Sequence, residues 1–202
     1  MEALLTRLKE AGLSDTSLSA FIKSFAIRTR VEKNTIIVDK GDKNDRVYFI
    51  EKGLICCYKS NRKRIYPHWI RKEDDFFGGM YLYERKGPSD ITIVALEASE
   101  LISITYAQYK LLEESEVEFS KCLSTIMRQY SKQIDRHRKL LLMSQEMKFY
   151  SLLKSNPDLF QRVPLKYLAH YMMVETACLK EFLGQRKFSL RAAPNVRRVH
   201  LY

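Results

Sequence analysis

The residues with the clearest chemical potential lie near the end of the chain, between positions 163 and 182. They have the layout of a helix-turn-helix, with two apolar helical segments joined by a short connection, and the apolar scaffold positions are Leu168, Ala169, Val174 and Leu179. Such a motif places its second helix in the major groove, so double-stranded DNA is the leading candidate partner. We expect six side chains to contact DNA: Lys166, Thr176, Lys180, Gln185, Arg186 and Lys187.

The charge distribution also suits a polyanionic partner. The net charge is +11 over 202 residues, and residues 54–72 and 183–202 contain several lysines and arginines but no acid. The second run lies beside the helix-turn-helix, where cations would neutralise phosphates. Solvated basic surfaces with no ligand are the simpler alternative for both runs.

No pattern typical of an enzyme or of a cofactor site is present in the sequence. The four histidines are scattered and none has a metal-ligand spacing to another histidine or cysteine. Cys56 and Cys57 are adjacent, so in a strand they point to opposite faces and cannot chelate one ion together. The sequence therefore predicts a protein that is not an enzyme and has no metal or cofactor, with free thiols typical of a reducing compartment.

The sequence predicts an α+β fold whose character changes near residue 110. Before that position, short β-branched and aromatic segments alternate with glycine-containing turns, as in a sandwich or jelly-roll barrel, and one helical segment over residues 4–25 precedes them. After it, helical periodicity dominates. We expect a sensor barrel over residues 1–112, a long helix over 113–142 and a helical domain with a basic tail over 143–202.

The long helix carries an apolar stripe at helical spacing: Phe119, Leu123, Ile126, Tyr130 and Ile134. A helix of about 29 residues spans about 40 Å, which is longer than the core of a small domain requires. We therefore expect the stripe to form the seam of a homodimer. Packing of the stripe on the barrel is the alternative.

Taken in order, these segments resemble the Crp/Fnr superfamily of bacterial transcription regulators, and most closely the branch common in Bacteroidetes. The resemblance covers about residues 15–185 and rests on Gly41-Asp42, on the strand and turn at residues 48–53, on residues 88–104 and on residues 149–169. It implies a cyclic-nucleotide-binding-like double-stranded β-helix, a dimerisation helix and a DNA-binding domain. It also implies an effector pocket at Phe77, Gly78, Gly79, Met80, Ser89 and Asp90.

The effector pocket departs from the pattern of cyclic-nucleotide binders in this superfamily. They have a Phe-Gly-Glu turn whose glutamate takes the ribose, and an arginine that pairs with the phosphate; here Gly79 and Asp90 fall near those positions. A buried carboxylate facing a phosphate costs several kcal/mol. We therefore predict that the protein does not bind cyclic AMP, and that any effector in the barrel is small and neutral or cationic. An empty barrel is equally compatible with the sequence.

The helix-turn-helix departs from its relatives as well. Met173 stands where they have a turn glycine, which predicts either backbone strain of about 1 kcal/mol or a more helical turn. Glu181 stands where they have an arginine, and a glutamate is repelled by phosphate although it can accept from cytosine. Two interpretations stay open: DNA binding with altered specificity, or loss of tight DNA binding in a ligand-sensing or partner-binding dimer.

The apolar segments are too short to cross a membrane, since none approaches the ~18 residues of a spanning helix. The first ten residues contain acids and lack a secretory signal pattern. The sequence therefore predicts a cytoplasmic protein.

Overall fold

Two four-stranded antiparallel sheets form the N-terminal barrel. The computed structural model describes residues 1–61, 64–78 and 88–192, without the side chains of residues 60, 61, 64, 65 and 185–192. The strands are β1 (Ile27–Val31), β2 (Ile36–Val38), β3 (Arg46–Lys52), β4 (Ile55–Asn61), β5 (Arg64–Arg71), β6 (Phe76–Gly78), β7 (Thr92–Ala95) and β8 (Ser99–Thr105). Their orders, β1-β8-β3-β6 and β2-β7-β4-β5, are those of a jelly roll, as the sequence predicts.

Eight helices flank or follow the barrel in the described residues. They are α1 (Glu2–Glu10), α2 (Thr16–Phe25), α3 (Tyr106–Ser115), α4 (Val117–Leu141), α5 (Gln145–Ser155), α6 (Leu159–Arg162), α7 (Leu165–Tyr171) and α8 (Thr176–Ala192). The single N-terminal helix expected over residues 4–25 is wrong. The chain breaks after α1 at Gly12, whose φ of 108° suits glycine, and Asp15 caps α2 by accepting from the amides of Ser17 and Leu18.

The long helix is shorter than the sequence suggests, and its apolar stripe has a different role. The side chains of Phe119, Leu123, Ile126 and Tyr130 are buried within the single chain, in one core with α1, α2, α3 and the β3–β8 sheet. The Tyr130 hydroxyl accepts a hydrogen bond from the amide of Phe76 at 2.5 Å. These four side chains therefore pack on the barrel and cannot form a dimer seam. Only Ile134 of the predicted stripe is exposed, by 45%.

The barrel interior and the outer face of its second sheet belong to two separate cores. Cys57 faces the interior with Ile50, Ile55, Phe77 and Ile93. Cys56 faces outward, into a core that it shares with helices α5, α7 and α8. The adjacent cysteines thus point to opposite faces, as expected, and both thiols are buried and free.

The helical domain packs directly against the barrel. Leu168, Ala169 and Met172 on and after α7 share a core with Leu54 and Cys56 of the second sheet. The barrel and the helical domain are therefore joined by a common hydrophobic core as well as by α4.

Ion pairs surround this contact. The Arg162 guanidinium, at the end of α6, donates to Glu73 at 2.7 and 3.0 Å and to Glu97 at 2.5 and 3.3 Å. The Nζ of Lys72 lies 2.8 Å from the Asp158 carboxylate. Because the two glutamates follow β5 and β7, Arg162 connects the helical domain to two loops of the barrel.

None of the helices in the described part of the chain is long and apolar enough to span a membrane.

Candidate functional site

The predicted helix-turn-helix forms from α7, a four-residue connection and α8. Its apolar scaffold is buried as expected: Leu168, Ala169, Val174 and Leu179 are at most 8% exposed. The end of α7 is a Schellman turn, in which the Met173 amide donates to His170 O at 3.0 Å and the Val174 amide donates to Ala169 O at 2.9 Å. These bonds satisfy the last carbonyls of α7 and set the direction in which α8 leaves.

Met173 occupies the left-handed position of this turn. Its φ is 52°, a region that glycine enters cheaply and methionine does not. Its side chain is 66% exposed, so packing offsets little of the strain. Of the two outcomes that the sequence leaves open for this residue, strain in an intact turn is the one observed.

The expected DNA contacts fall on the outer side of the motif where they are described. Lys166 on α7 and Lys180 on α8 are exposed, and Thr176 at the start of α8 is half-buried. Thr176 and Lys180 are four residues apart and share one face of α8. Glu181 is exposed beside them. Gln185, Arg186 and Lys187 continue along α8, but their side chains lie outside the described residues, as do residues 193–202 of the basic tail.

The expected effector pocket is only partly described, because Gly79 and Met80 lie outside the described residues. Phe77 is fully buried and stacks on Tyr48, with ring centroids 4.8 Å apart. Trp69 lies 6.0 Å from Phe77 on another side. Apolar and aromatic side chains thus pack around Phe77 in the described part of the barrel interior.

Gly78 is required by its surroundings. Its φ is 106°, and a Cβ atom there would lie 2.4 Å from the carbonyl oxygen of Arg46. The glycine therefore allows β6 to approach β3 and has a structural role in the described part of the barrel.

Ser89 and Asp90 also have partners within the protein. The Ser89 hydroxyl is 2.8 Å from the carbonyl oxygen of Ile91, to which it donates. The Asp90 carboxylate lies 2.7 Å from the Nζ of Lys59 on β4. The carboxylate that replaces the expected phosphate-binding cation is thus neutralised by a lysine, and the pair adds no net charge.

A second candidate site, which the sequence does not reveal, is a cleft of about 460 Å³ between the barrel and the helical domain. Lys72 of the barrel, Arg136 and Lys139 of α4, Ser151 of α5 and Tyr171 of α7 contribute to its walls. Burial raises the pKa of the Tyr171 hydroxyl to about 12. The lining residues are up to about 100 positions apart, so no local sequence pattern could have indicated the cleft.

The aromatic wall of this cleft is held by a contact between helices. The His137 Nε2 lies 3.1 Å from the carbonyl oxygen of Tyr171, and the two rings meet edge to face at 4.0 Å. Burial lowers the pKa of His137. The imidazole is therefore neutral near pH 7 and donates its Nε2 proton to the carbonyl.

In the described residues, no group of three or more His, Cys, Asp or Glu side chains could hold a metal ion.

A family model matches most of the barrel and the helix that follows it. Residues 28–115 match the model of the family described as the cyclic nucleotide-binding domain. No curated protein matches the chain at a significant level.

Solved structures share the fold of nearly the whole chain. FixK2 from Bradyrhizobium japonicum is 14% identical with a TM-score of 0.67, over 81% of this chain and 85% of that one. A protein of the Crp/Fnr family from Eubacterium rectale is 15% identical with a TM-score of 0.67, over 91% and 88%. The c-di-GMP-responsive global regulator CLP from Xanthomonas campestris is 17% identical with a TM-score of 0.63, over 91% and 96%. Residues 28–115 thus match the cyclic nucleotide-binding domain model, and the chain shares its fold with solved structures that include a protein of the Crp/Fnr family.

Proposed function

We propose that this protein is a transcription regulator that binds double-stranded DNA as a homodimer. The observation that carries the proposal is the helix-turn-helix, with its buried scaffold, its Schellman turn and the exposed side chains on the outer side of α7 and α8. The net charge of +11 and the fold shared with Crp/Fnr regulators support the same conclusion. A DNA partner is consistent with a cytoplasmic protein without enzymatic activity.

In this proposal the first turns of α8 enter the major groove. Lys180 and Thr176 face the bases or the nearest phosphates, and Lys166 on α7 contacts the backbone. Glu181 is exposed on the same helix and can accept from cytosine N4, which would change the preferred sequence from that of relatives with an arginine. Gln185, Arg186 and Lys187 extend the contact along α8.

We propose that the dimer uses the outer face of α4 in place of the predicted stripe. Since the inner face is buried in the protomer, a partner can meet only an exposed face, and the face beside the buried one carries apolar residues, among them Ile134 of the predicted stripe. Residues on that face follow the alternating spacing of three and four that is typical of a coiled-coil seam, and they are Val117, Ser120, Ser124, Met127, Ser131, Ile134, Arg138 and Leu141. Val117, Met127 and Ile134 are 70%, 37% and 45% exposed in the single chain. Pairing along this seam would set two α8 helices one turn of DNA apart, about 34 Å.

We also propose that cyclic AMP is not the effector. The Asp90 carboxylate lies 2.7 Å from the Lys59 ammonium, and the rings of Tyr48 and Trp69 pack against Phe77 in the barrel interior. A nucleotide phosphate that used Lys59 would have to displace it from Asp90.

The direct test of DNA binding is a gel-shift titration of the purified full-length chain on a labelled pool of random duplexes, with selection over several rounds. The proposal expects retained duplexes that converge on a two-fold symmetric sequence with half-sites about one turn apart. Failure to retain any duplex at low salt would favour the alternative, a ligand-sensing or partner-binding dimer that no longer reads DNA.

A further inference from the structure

The cleft between the barrel and the helical domain has the size of a small-molecule site. Its volume of about 460 Å³ lies in the range of small-molecule pockets, about 300–1,000 Å³. Its walls come from both parts of the molecule: Lys72 from the end of the barrel's second sheet, Arg136 and Lys139 from α4, Ser151 from α5 and Tyr171 from α7. It is separate from the barrel interior around Phe77.

The charges that line the cleft favour an anion. Lys72 is paired with Asp158 at 2.8 Å. Arg136 and Lys139 are exposed, and neither makes an ion pair with any residue that the structure describes. The one carboxylate in the lining, Asp75, is half-buried, and desolvation raises its pKa while the nearby Arg71 guanidinium opposes the shift. His137 is neutral near pH 7 because burial lowers its pKa.

The rest of the lining favours an organic anion, with an apolar part in addition to its charged group. Leu140 and Leu152 form apolar parts of the wall, and both are buried by the surrounding core. The Tyr171 ring adds an aromatic surface, held in place by His137. The ring system of such a ligand would pack on the apolar surface, and its acidic group would bind the two cations of α4, Arg136 and Lys139.

We propose that this cleft binds a small organic anion, with its acidic group between Arg136 and Lys139 and its ring against the apolar wall. The inference rests on the proposed regulator function, for which it supplies an effector site outside the barrel interior. Because the walls belong to both the barrel and the helical domain, a bound anion stabilises the arrangement in which they are joined. Binding of the anion thereby changes the relative populations of conformations that differ in the position of α8.

The test uses a fluorescent organic anion whose binding does not depend on DNA. The probe is 8-anilinonaphthalene-1-sulfonate, titrated into the full-length protein, and its neutral analogue N-phenyl-1-naphthylamine serves as the charge control. The proposal expects saturable binding of the sulfonate, an affinity at least tenfold lower in the double variant Arg136→Ser/Lys139→Ser, and little change for the neutral analogue.

Two further variants test the location. Arg128→Ser removes an exposed cation from the same helix, about 12 Å before Arg136 at 1.5 Å per residue, and should leave the affinity unchanged. Ser151→Trp fills the cleft without changing charge and should abolish binding of the sulfonate. Equal sulfonate binding by the wild-type protein and the Arg136→Ser/Lys139→Ser variant, or no saturable binding at all, would overturn the proposal. Because the readout is the dye, a negative result here is distinct from a failure to bind DNA in the gel-shift titration.

Discussion

At the residue scale, Met173 determines how much strain the turn before α8 contains. It has a φ of 52° where a glycine would be unstrained, and the turn keeps both Schellman hydrogen bonds. The sequence could predict the strain because the position that needs positive φ follows from the motif. It could not predict that the turn would stay intact, since that depends on the buried scaffold on either side.

Met173→Gly should stabilise the protein by about 1 kcal/mol, because relief of left-handed strain exceeds the added entropy of the unfolded chain. Urea unfolding at pH 7 measures the difference. Met173→Ala is the matched control, since it removes the same exposed side chain but keeps the Cβ that causes the strain. A gain in stability for Ala equal to that for Gly would show that the side chain, and not the backbone conformation, is responsible.

Asp90 carries the second prediction at this scale. Since its carboxylate pairs with Lys59 at 2.7 Å, a phosphate would have to compete with Asp90 for that lysine. Isothermal calorimetry with cyclic AMP should give no heat of binding up to millimolar concentration. Micromolar affinity would contradict the account of the barrel.

At the scale of the element, α4 has two faces with different roles. One face supplies Phe119 and Tyr130 to the protomer core, and the neighbouring face exposes Met127 and Ile134. Apolar residues recur at helical spacing on both faces, so periodicity identifies the helix correctly. What covers each face depends on α1, α2 and α3, and no local pattern encodes that contact.

The two faces of α4 should respond differently to substitution. Met127→Glu/Ile134→Glu places charges in the proposed seam and should convert a dimer to a folded monomer, which light scattering detects as a halved mass. Lys132→Glu, outside the seam on the same helix, should leave the dimer intact. Phe119→Ala should instead lower stability by about 3–5 kcal/mol through a core cavity. A dimer that survives both glutamates would rule out this seam.

The strands of the barrel could be predicted from local sequence patterns, but the contacts that cover its second sheet could not. Turn residues and alternating apolar segments were enough to predict a jelly roll and most of β3, β4 and β7. The sequence did not indicate how the second sheet is covered, because Cys56 and Leu54 are in contact with α7 residues more than 100 positions away. The cleft is likewise lined by residues from distant parts of the chain, which explains why the sequence missed this candidate site.

At the scale of the whole molecule, Arg162 connects the helical domain to the barrel. Burial raises the pKa of Glu73, but hydrogen bonds from Arg162 and from the Gly53 amide outweigh it and lower the pKa from 4.5 to about 2. Because the folded pKa lies below the unfolded one, the pair stabilises the protein fully above about pH 4.5. That contribution is lost as the pH falls towards 2.

Arg162→Met should therefore destabilise the protein at pH 7, and the difference from wild type should shrink between pH 4.5 and pH 3. Urea unfolding at several pH values measures this difference. Arg30→Met serves as the control, since Arg30 is 73% exposed, lies 3.9 Å from Glu32 and is outside the proposed seam. An Arg162→Met difference that stays constant from pH 7 to pH 3 would show that the arginine acts through packing alone.

Binding of the whole molecule to duplex DNA as a function of salt tests the proposed function most directly. Fluorescence anisotropy with a labelled duplex should give affinities that fall steeply as salt rises, because bound cations release counterions from the phosphates. The double variant Lys166→Ala/Lys180→Ala should bind more weakly. Its slope of log affinity against log salt concentration should be smaller in magnitude by about 2. Absence of binding at 50 mM salt, or binding that does not change with salt, would contradict the account of α7 and α8 as a DNA-binding surface.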